Sequence, residues 1–272
     1  MKRLALLALL LPAAASAADC EFNEPRSLAL DLDGVRVVRF EVNQNDLRLG
    51  AAAGGTASLT ARACASDPDY FPQLVLEQRR SGDTLVVSAE RRGVSTGIFF
   101  KPTYAYLEVD ARLPADLDVE LDVGSGDAWA SGMKSVRAEV GSGDIELRDI
   151  AGLVRASVGS GDVTVEGAGE LDLRSVGSGD FEASDIRGPV RIGSVGSGDL
   201  TLAGVKDDVE VDEIGSGDLE VSRVSGHVHI GRINSGDASV RDVGGDLVVR
   251  RIGSGDISHH GVRGRVDVPR ED

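Results

Sequence analysis

The chain has 272 residues, of which 41% are hydrophobic and 4% aromatic, and its 45 Asp and Glu against 29 Lys and Arg give a formal net charge of -16 at pH 7. Such an acidic surface repels phosphate backbones, so we predict no nucleic-acid partner. Beyond the N-terminal apolar run, no stretch approaches the about 20 apolar residues of a membrane-spanning helix, so we predict no transmembrane segment.

Residues 1–18 have the pattern of a secretory signal peptide. Two basic residues precede the apolar run 4–11, and Ala15-Ser16-Ala17 supplies the small residues of a cleavage site. We therefore predict an exported protein, located in the periplasm or at the cell surface.

Two cysteines, Cys20 and Cys64, follow the signal. In an exported protein such a pair is most simply a disulfide, which we predict here. Cys20 also raises the alternative of lipidation, but Asp19 stands where a lipobox carries a small residue, so the plain signal is preferred.

The region 19–112 does not repeat visibly, yet it is rich in short alternating segments typical of strands. We predict strands over the ranges 27–33, 35–42, 57–63, 73–78, 84–89 and 104–112. The end of a stack of repeats exposes unpaired backbone and needs a cover. We interpret 19–112 as a β-rich N-terminal cap, continuous with the region that follows.

From Gly124 onward one phrase, Gly-Ser-Gly-Asp, keeps returning, once as Asn234-Ser235-Gly236-Asp237. Its aspartates, which we call the aspartate ladder, are spaced by 17 to 19 residues, a period typical of stacked repeats. The members of the ladder are Asp127, Asp144, Asp162, Asp180, Asp199, Asp218, Asp237 and Asp256.

Each repeat divides into two halves that both read turn, apolar, polar, apolar, two polar, apolar, as in GSGDLTLAGV followed by KDDVEVDEI. Alternation at period two indicates a half-buried strand, and the third apolar residue implies a bend. Helical repeats are excluded because the composition, rich in Val, Ile, Gly, Ser and Asp, favours strands and turns. We predict an all-β fold, a single-stranded β-helix (β-solenoid) of about eight 17–19-residue coils over 113–268, with a charged end at 269–272.

The stretch LEVDARLPADLDVELDVGSGDAWASG, Leu107 to Gly132, combines a strand ending in Leu-Pro, a short turn and alternating strands that run into Ser-Gly-Asp. It resembles the bacterial "putative adhesin" family, a domain of unknown function with β-helical repeats. The resemblance covers about Leu107 to Val268. It implies the β-solenoid fold and an adhesin-like role, and it offers no catalytic residues.

Stacking places the eight ladder carboxylates about 4.8 Å apart, where neighbours repel by about 1 kcal/mol even in a water-like dielectric. One interpretation is structural: each Asp accepts backbone N–H bonds within its own turn while the glycines supply positive φ. The alternative is calcium bound between coils by these eight aspartates, which would be the only cofactor.

Other residues give weaker signals for chemistry. One outward column reads Trp129, Glu146, Thr164, Glu182, Thr201, Glu220, Ser239 and Ser258, so that glutamates are kept two coils apart. His227 and His229 could chelate a metal weakly but lack an obvious third ligand, and His259 occupies an apolar column position of the last coil.

No carboxylate of the ladder differs from its neighbours as a catalytic pair would, and aromatic residues for sugar stacking are scarce. We therefore expect a non-enzymatic, adhesin-like envelope protein that binds an unknown protein or surface ligand. The alternatives are a calcium-dependent periplasmic scaffold and, third, a solenoid enzyme that acts on polysaccharides.

Overall fold

The structure is a computed structural model that describes residues 20–93 and 103–269. In this part of the chain it contains 22 β-strands and two short 3-10 segments, Ala53–Gly55 and Pro68–Gln73. The predicted all-β solenoid of about eight coils is confirmed. The predicted signal peptide, residues 1–18, lies outside the described residues, as do residues 270–272 of the charged end.

The strands fall into an N-terminal group and a repeat group. The N-terminal strands are β1 (Phe22–Ser27), β2 (Val37–Asn43), β3 (Asp46–Ala51), β4 (Ser58–Ala65), β5 (Leu74–Ser81), β6 (Thr84–Arg91) and β7 (Ala105–Leu113). The repeat strands are β8 (Asp118–Val123), β9 (Ala128–Ser131), β10 (Ser135–Val140), β11 (Ile145–Val158), β12 (Val163–Val176), β13 (Phe181–Ile186), β14 (Val190–Val195), β15 (Leu200–Val205), β16 (Val209–Ile214), β17 (Leu219–Val224), β18 (Val228–Ile233), β19 (Ala238–Val243), β20 (Leu247–Ile252), β21 (Ile257–His260) and β22 (Val266–Asp267).

The repeat strands stack in parallel to form two faces of a column. Face A runs in the order β6, β2, β8, β10, β11, β12, β14, β16, β18, β20, β22. Face B runs in the order β7, β3, β9, β11, β12, β13, β15, β17, β19, β21. The long strands β11 and β12 bend and serve both faces.

The core lies between the two faces and is built from the apolar columns predicted by the alternation. Successive coils place equivalent apolar residues in register, each no more than 2% exposed, on face B for example Ile145, Val163, Phe181, Leu200, Leu219 and Ala238. Because the side-chain period of a strand is two, the polar residues between them point outward.

A bend joins face B to face A in every coil, immediately before the third apolar residue. One residue there has a left-handed φ, for example 53° at Asp149 and 77° at Gly167. The residues at this position are Gly132, Asp149, Gly167, Asp185, Gly204, Arg223, Asp242 and Gly261. Gly and Asp adopt this conformation more readily than other residues, which explains why they dominate the position.

The N-terminal region extends the column and closes its end. Strands β2 and β3 form a further coil in register with β8 and β9. Beyond them the outermost strands β5, β4 and β1 pair antiparallel instead. The predicted disulfide between Cys20 and Cys64 is confirmed, with Cα atoms 5.5 Å apart, and it ties the start of β1 to β4.

One strand prediction in this region is wrong, and two strands, β1 over most of its length and β3, were not predicted. The range 27–33 is mostly not a strand, since β1 ends at Ser27; Leu28, Leu30 and Leu32 still pack against the core, and Gln78 bonds to Ala29 O in place of a neighbouring strand. None of the helical segments in the described residues is long and apolar enough to cross a membrane.

Candidate functional site

The aspartate ladder is a continuous row of hydrogen bonds between coils. From Asp144 onward, the backbone N–H of each ladder residue donates to Oδ1 of the ladder aspartate one coil earlier, at 2.9 to 3.1 Å. In the other direction, the carbonyl of each aspartate accepts an N–H from the preceding coil, as Ala128 N–H donates to Asp144 O at 2.9 Å. Each aspartate therefore links neighbouring coils through its side chain and its backbone.

This geometry corrects the expectation that each carboxylate bonds within its own turn. The acceptor serves the next coil, 17 to 19 residues later in the chain. A charged acceptor makes a stronger hydrogen bond than a neutral one, and seven such bonds in a row offset the repulsion between the stacked carboxylates.

The expectation that the motif glycines supply positive φ is also wrong. None of them has a left-handed φ. The second glycine is required because coils approach closely: a Cβ on Gly198 would lie 1.8 Å from Gly179 O, and one on Gly143 would lie 1.7 Å from Gly126 O. The first glycine is less confined, which is consistent with Asn234 at that position, where its Nδ2 donates to Glu213 at 2.7 Å.

A ninth copy of the turn, missed in the sequence, starts the ladder. The segment Asn43-Gln44-Asn45-Asp46 lies one coil before Gly124-Ser125-Gly126-Asp127. Ser125 N–H and Gly126 N–H both donate to Asn43 O, and Asp127 N–H reaches Asp46 Oδ1 at 3.3 Å. The signal was present in FEVNQNDLRL, which aligns with LDVGSGDAWA, but 81 residues separate the two aspartates.

Asn45 closes the row of turns at its N-terminal end. Its side chain is fully buried and donates to Val42 O at 3.0 Å and Ala89 O at 2.7 Å, while its Oδ1 accepts Leu107 N–H at 2.7 Å. The sequence between β6 and β7 does not contain the Gly-Ser-Gly-Asp phrase. The Asn45 amide therefore satisfies backbone groups that a preceding turn would otherwise bond.

Two acidic side chains near the N-terminal end of the column, Asp46 and Asp122, have raised pKa values. Burial raises the pKa of Asp46, although the hydrogen bond from Asp127 opposes the shift. Burial also raises the pKa of Asp122 on face A, and the charges of Glu139 and Glu41 add to the effect. The carboxylates of Glu41, Asp122 and Glu139 occupy consecutive register positions on face A, with Glu41 beside Asp122 and Asp122 beside Glu139.

The remaining predicted site residues are the candidate metal ligands and the outward column that starts at Trp129. Within residues 20–93 and 103–269, no group of three or more His, Cys, Asp and Glu side chains is arranged to hold a metal ion. The outward column from Trp129 to Ser258 is in register, so its glutamates do alternate with hydroxyl residues.

His227 and His229 lie with ring centroids 6.2 Å apart, but only His229 is in a strand. His227 occupies the turn before β18. Its backbone N–H donates to Asp208 Oδ1, and its ring Nδ1 accepts the backbone N–H of Asp246 at 2.9 Å. It thus continues a second, shorter row of bonds between coils. His259 is exposed at its column position in β21.

The only tryptophan of the chain lies where face B leaves the N-terminal region. Trp129 is half-buried, and the Arg48 guanidinium carbon is 5.0 Å from its ring centroid. A shallow depression beside the ring is lined by Arg48, Leu49, Arg112, Trp129, Ala130, Ser131, Glu146 and Arg148.

A protein-family model described as "Toastrack DUF4097" matches residues 38–268. Comparison with curated proteins gives no significant match. Among solved structures, a "putative lipid binding protein" from Parabacteroides distasonis ATCC 8503 has a TM-score of 0.51 and 17% identity, over 90% of this chain and 96% of its own. A "putative adhesin" from Parabacteroides merdae ATCC 43184 has a TM-score of 0.52 and 12% identity, over 88% and 96%.

At these identities the structural likeness shows the fold alone. The resemblance found in the sequence is supported at the level of the Toastrack domain, and the match extends it to most of the N-terminal region. Adhesin is the name given to a solved structure of similar fold, and the likeness in fold does not extend that role to this chain.

Proposed function

Because the chain belongs to the Toastrack DUF4097 family, we propose that it is a non-enzymatic, exported envelope protein whose rigid, acidic column serves as an adhesin-like binding or structural surface. Residues 19–112 act as the cap of this column, and residues 113–268 supply most of its two faces. The signal peptide 1–18 carries the export part of the proposal.

The observation that carries the proposal is the continuity of bonding between coils. Every repeat coil is held to the next through two strand pairings and one aspartate bond, for example β15 to β17, β16 to β18, and Asp199 to Asp218. Such a column presents its outward side chains at fixed spacing, and a preorganised surface loses little entropy when it binds a partner.

The absence of catalysis in this proposal rests on the uniformity of the ladder. An acid and a base need different environments to work as a pair, whereas the aspartates of the repeat coils make the same bond to the next coil. Solved structures of similar fold are named for adhesion and lipid binding, which is consistent with a binding role.

The test is accessibility in the bacterium that makes the protein. The full-length chain with a C-terminal epitope tag is expressed, and intact cells are treated with protease or antibody beside a lysed control. Digestion or labelling on intact cells supports a surface-exposed, adhesin-like column. Protection until lysis would place the protein inside the envelope and refute the adhesin-like role.

The second candidate, a calcium-dependent periplasmic scaffold, rests on the row of eight ladder aspartates in the sequence, although no group in the described residues is arranged to hold a metal ion. Its test is the melting temperature of the purified mature protein in EDTA and in millimolar calcium. Because the hydrogen bonds described above already occupy one oxygen of seven of these aspartates, we expect the same melting temperature in both. A drop of many degrees in EDTA would favour calcium.

A further inference from the structure

The surface around Trp129 differs from the rest of the acidic column. Strand register arranges it as two outward columns that cross β7, β3, β9 and β11. One column contains Asp110, Arg48, Trp129 and Glu146, and the other contains Arg112, Gly50, Ser131 and Arg148. The small residues Gly50 and Ser131 form the floor of a notch, with Arg112 and Arg148 at its ends, the Arg112 guanidinium over Gly50 and the indole at its side.

The Arg112 side chain covers the glycine in this notch. A Cβ on Gly50 would lie 1.9 Å from Arg112 Nη1, so the Arg112 guanidinium lies over the bare backbone of β3. Arg112 and Trp129 line the same depression.

The positive charge of the notch is only partly neutralised. Arg148 pairs with Glu146 and with Glu166. Within the described residues, neither Arg48 nor Arg112 forms an ion pair, although Asp110 is the register partner of Arg48. Two exposed guanidinium groups beside a half-buried indole are thus open to an anionic ligand.

This combination selects a particular chemistry. A guanidinium binds a carboxylate through two parallel hydrogen bonds. The Arg48 guanidinium lies over one face of the Trp129 indole, so the opposite face is the one that can pack against the C–H groups of a sugar ring. From this arrangement we propose that the notch formed by Arg48, Arg112 and Trp129 is a binding site for an acidic saccharide, one that carries carboxylate groups on its sugar rings.

This inference rests on the proposed binding role of the column and names the ligand class for one place on it. Beyond Trp129 the outward column continues with Glu146, which also lines the notch and pairs with Arg148, and then with Glu182 and Glu220, which repel a polyanion. The ligand is therefore a short stretch of acidic sugar seated across β3 and β9, not a long polymer lying along the column. At physiological salt, repulsion from distant acidic groups is screened beyond about 8 Å.

The single tryptophan supplies the assay. Purified mature protein is titrated with a galacturonic acid oligosaccharide at physiological salt, and the Trp129 fluorescence is recorded. Neutral galactose oligosaccharides and phosphatidylglycerol vesicles are titrated in parallel. We expect a saturable change with the uronate alone, and Arg48→Gln and Arg112→Gln should each weaken it at least about tenfold, as loss of a charged hydrogen bond predicts. Trp129→Phe, followed by calorimetry, should also weaken it.

The matched control is Arg191→Gln, which removes the same charge from an exposed position on face A. It should leave the affinity unchanged. Equal weakening by Arg191→Gln, no saturable change with uronate, or a response only to the vesicles would each overturn the proposal. These outcomes are independent of the accessibility test, because binding by the purified protein does not depend on where the cell places it.

Discussion

Oδ1 of Asp199 accepts the backbone N–H of Asp218 at 2.9 Å, and the two residues belong to consecutive coils. Asp199 N–H in turn donates to Asp180 at 3.0 Å. The side chain that defines the repeat therefore stabilises the interface between repeats, and single substitutions can separate its roles as acceptor and as charge.

Asp199→Ala should lower the free energy of unfolding by about 1 kcal/mol, because it removes the acceptor of Asp218 N–H. Asp199→Asn keeps an acceptor oxygen and removes repulsion of about 1 kcal/mol from its neighbours, so it should be close to neutral. Urea unfolding followed by Trp129 fluorescence compares the two variants. If Asn destabilises as much as Ala, the charge and not the acceptor matters.

Gly198→Ala should destabilise the column by about 3 kcal/mol, since its Cβ would lie 1.8 Å from the backbone oxygen of Gly179. The control is Gly196→Ala, at the position that Asn234 fills in a later coil, and a loss of about 1 kcal/mol is expected there. Equal melting temperatures for the two variants would contradict the close-approach explanation.

Asn45→Ala should destabilise the N-terminal end by about 3 kcal/mol, because Leu107 N–H and the carbonyls of Val42 and Ala89 lose a buried partner. Asn43→Gly is the matched control: it removes the longer, 3.3 Å bond from Asn43 Nδ2 to Ala89 O but leaves the 2.7 Å bond from Asn45, and glycine adopts the φ of 54° freely. Hydrogen exchange of β6 and β7 should accelerate in the first variant alone; unchanged exchange would show that Asn45 is not the end anchor.

Asp122→Asn should stabilise the protein slightly at pH 7, by about 0.5 kcal/mol, since this carboxylate is largely exposed. Its pKa is raised by burial and by the charges of Glu139 and Glu41, so folding favours its protonated form. The free energy of unfolding therefore falls as the pH rises from the pKa of Asp122 in the unfolded chain, about 3.9, through its higher pKa in the folded protein. The gain from Asn should be present at pH 7 and absent at pH 3.

Asp118→Asn should change the free energy of unfolding in the direction opposite to Asp122→Asn. Burial alone would raise the pKa of Asp118, but hydrogen bonds from Ser135 and Lys134 lower it. The Asp118 carboxylate therefore stabilises the protein above its pKa in the unfolded chain, and this contribution is lost as the pH falls through its lower pKa in the folded protein. Asn should destabilise at pH 7, and thermal melts of both variants over pH 3 to 7 check the two signs. The same sign for both would contradict these environments.

The coils, the strands β8 to β22 and the buried columns could be predicted because each depends on residues close together in the sequence. A strand exposes alternate side chains, so apolar residues two apart, such as Leu200 and Leu202, must share a face. The Cys20 and Cys64 pair was predictable for a different reason: there were only two cysteines to join.

What the sequence did not reveal depends on contacts between residues that are distant along the chain. Asp127 and Asp144 look the same whether they bond within a turn or to the next coil, and only stacking decides between the two. The glycine at 198 looks like a turn residue until the backbone of Gly179 is placed against it.

The repeat period and its alternation thus determined the solenoid and its core, because local side-chain periodicity dictates which residues are buried. The tertiary structure identified Asn43 to Asp46 as the turn that precedes the ladder, and it alone decided that Asn45 anchors this end and that Arg48, Arg112 and Trp129 share one notch. The physical reason is that β3, β7 and β9 are far apart in sequence, and only backbone pairing between them brings these side chains together.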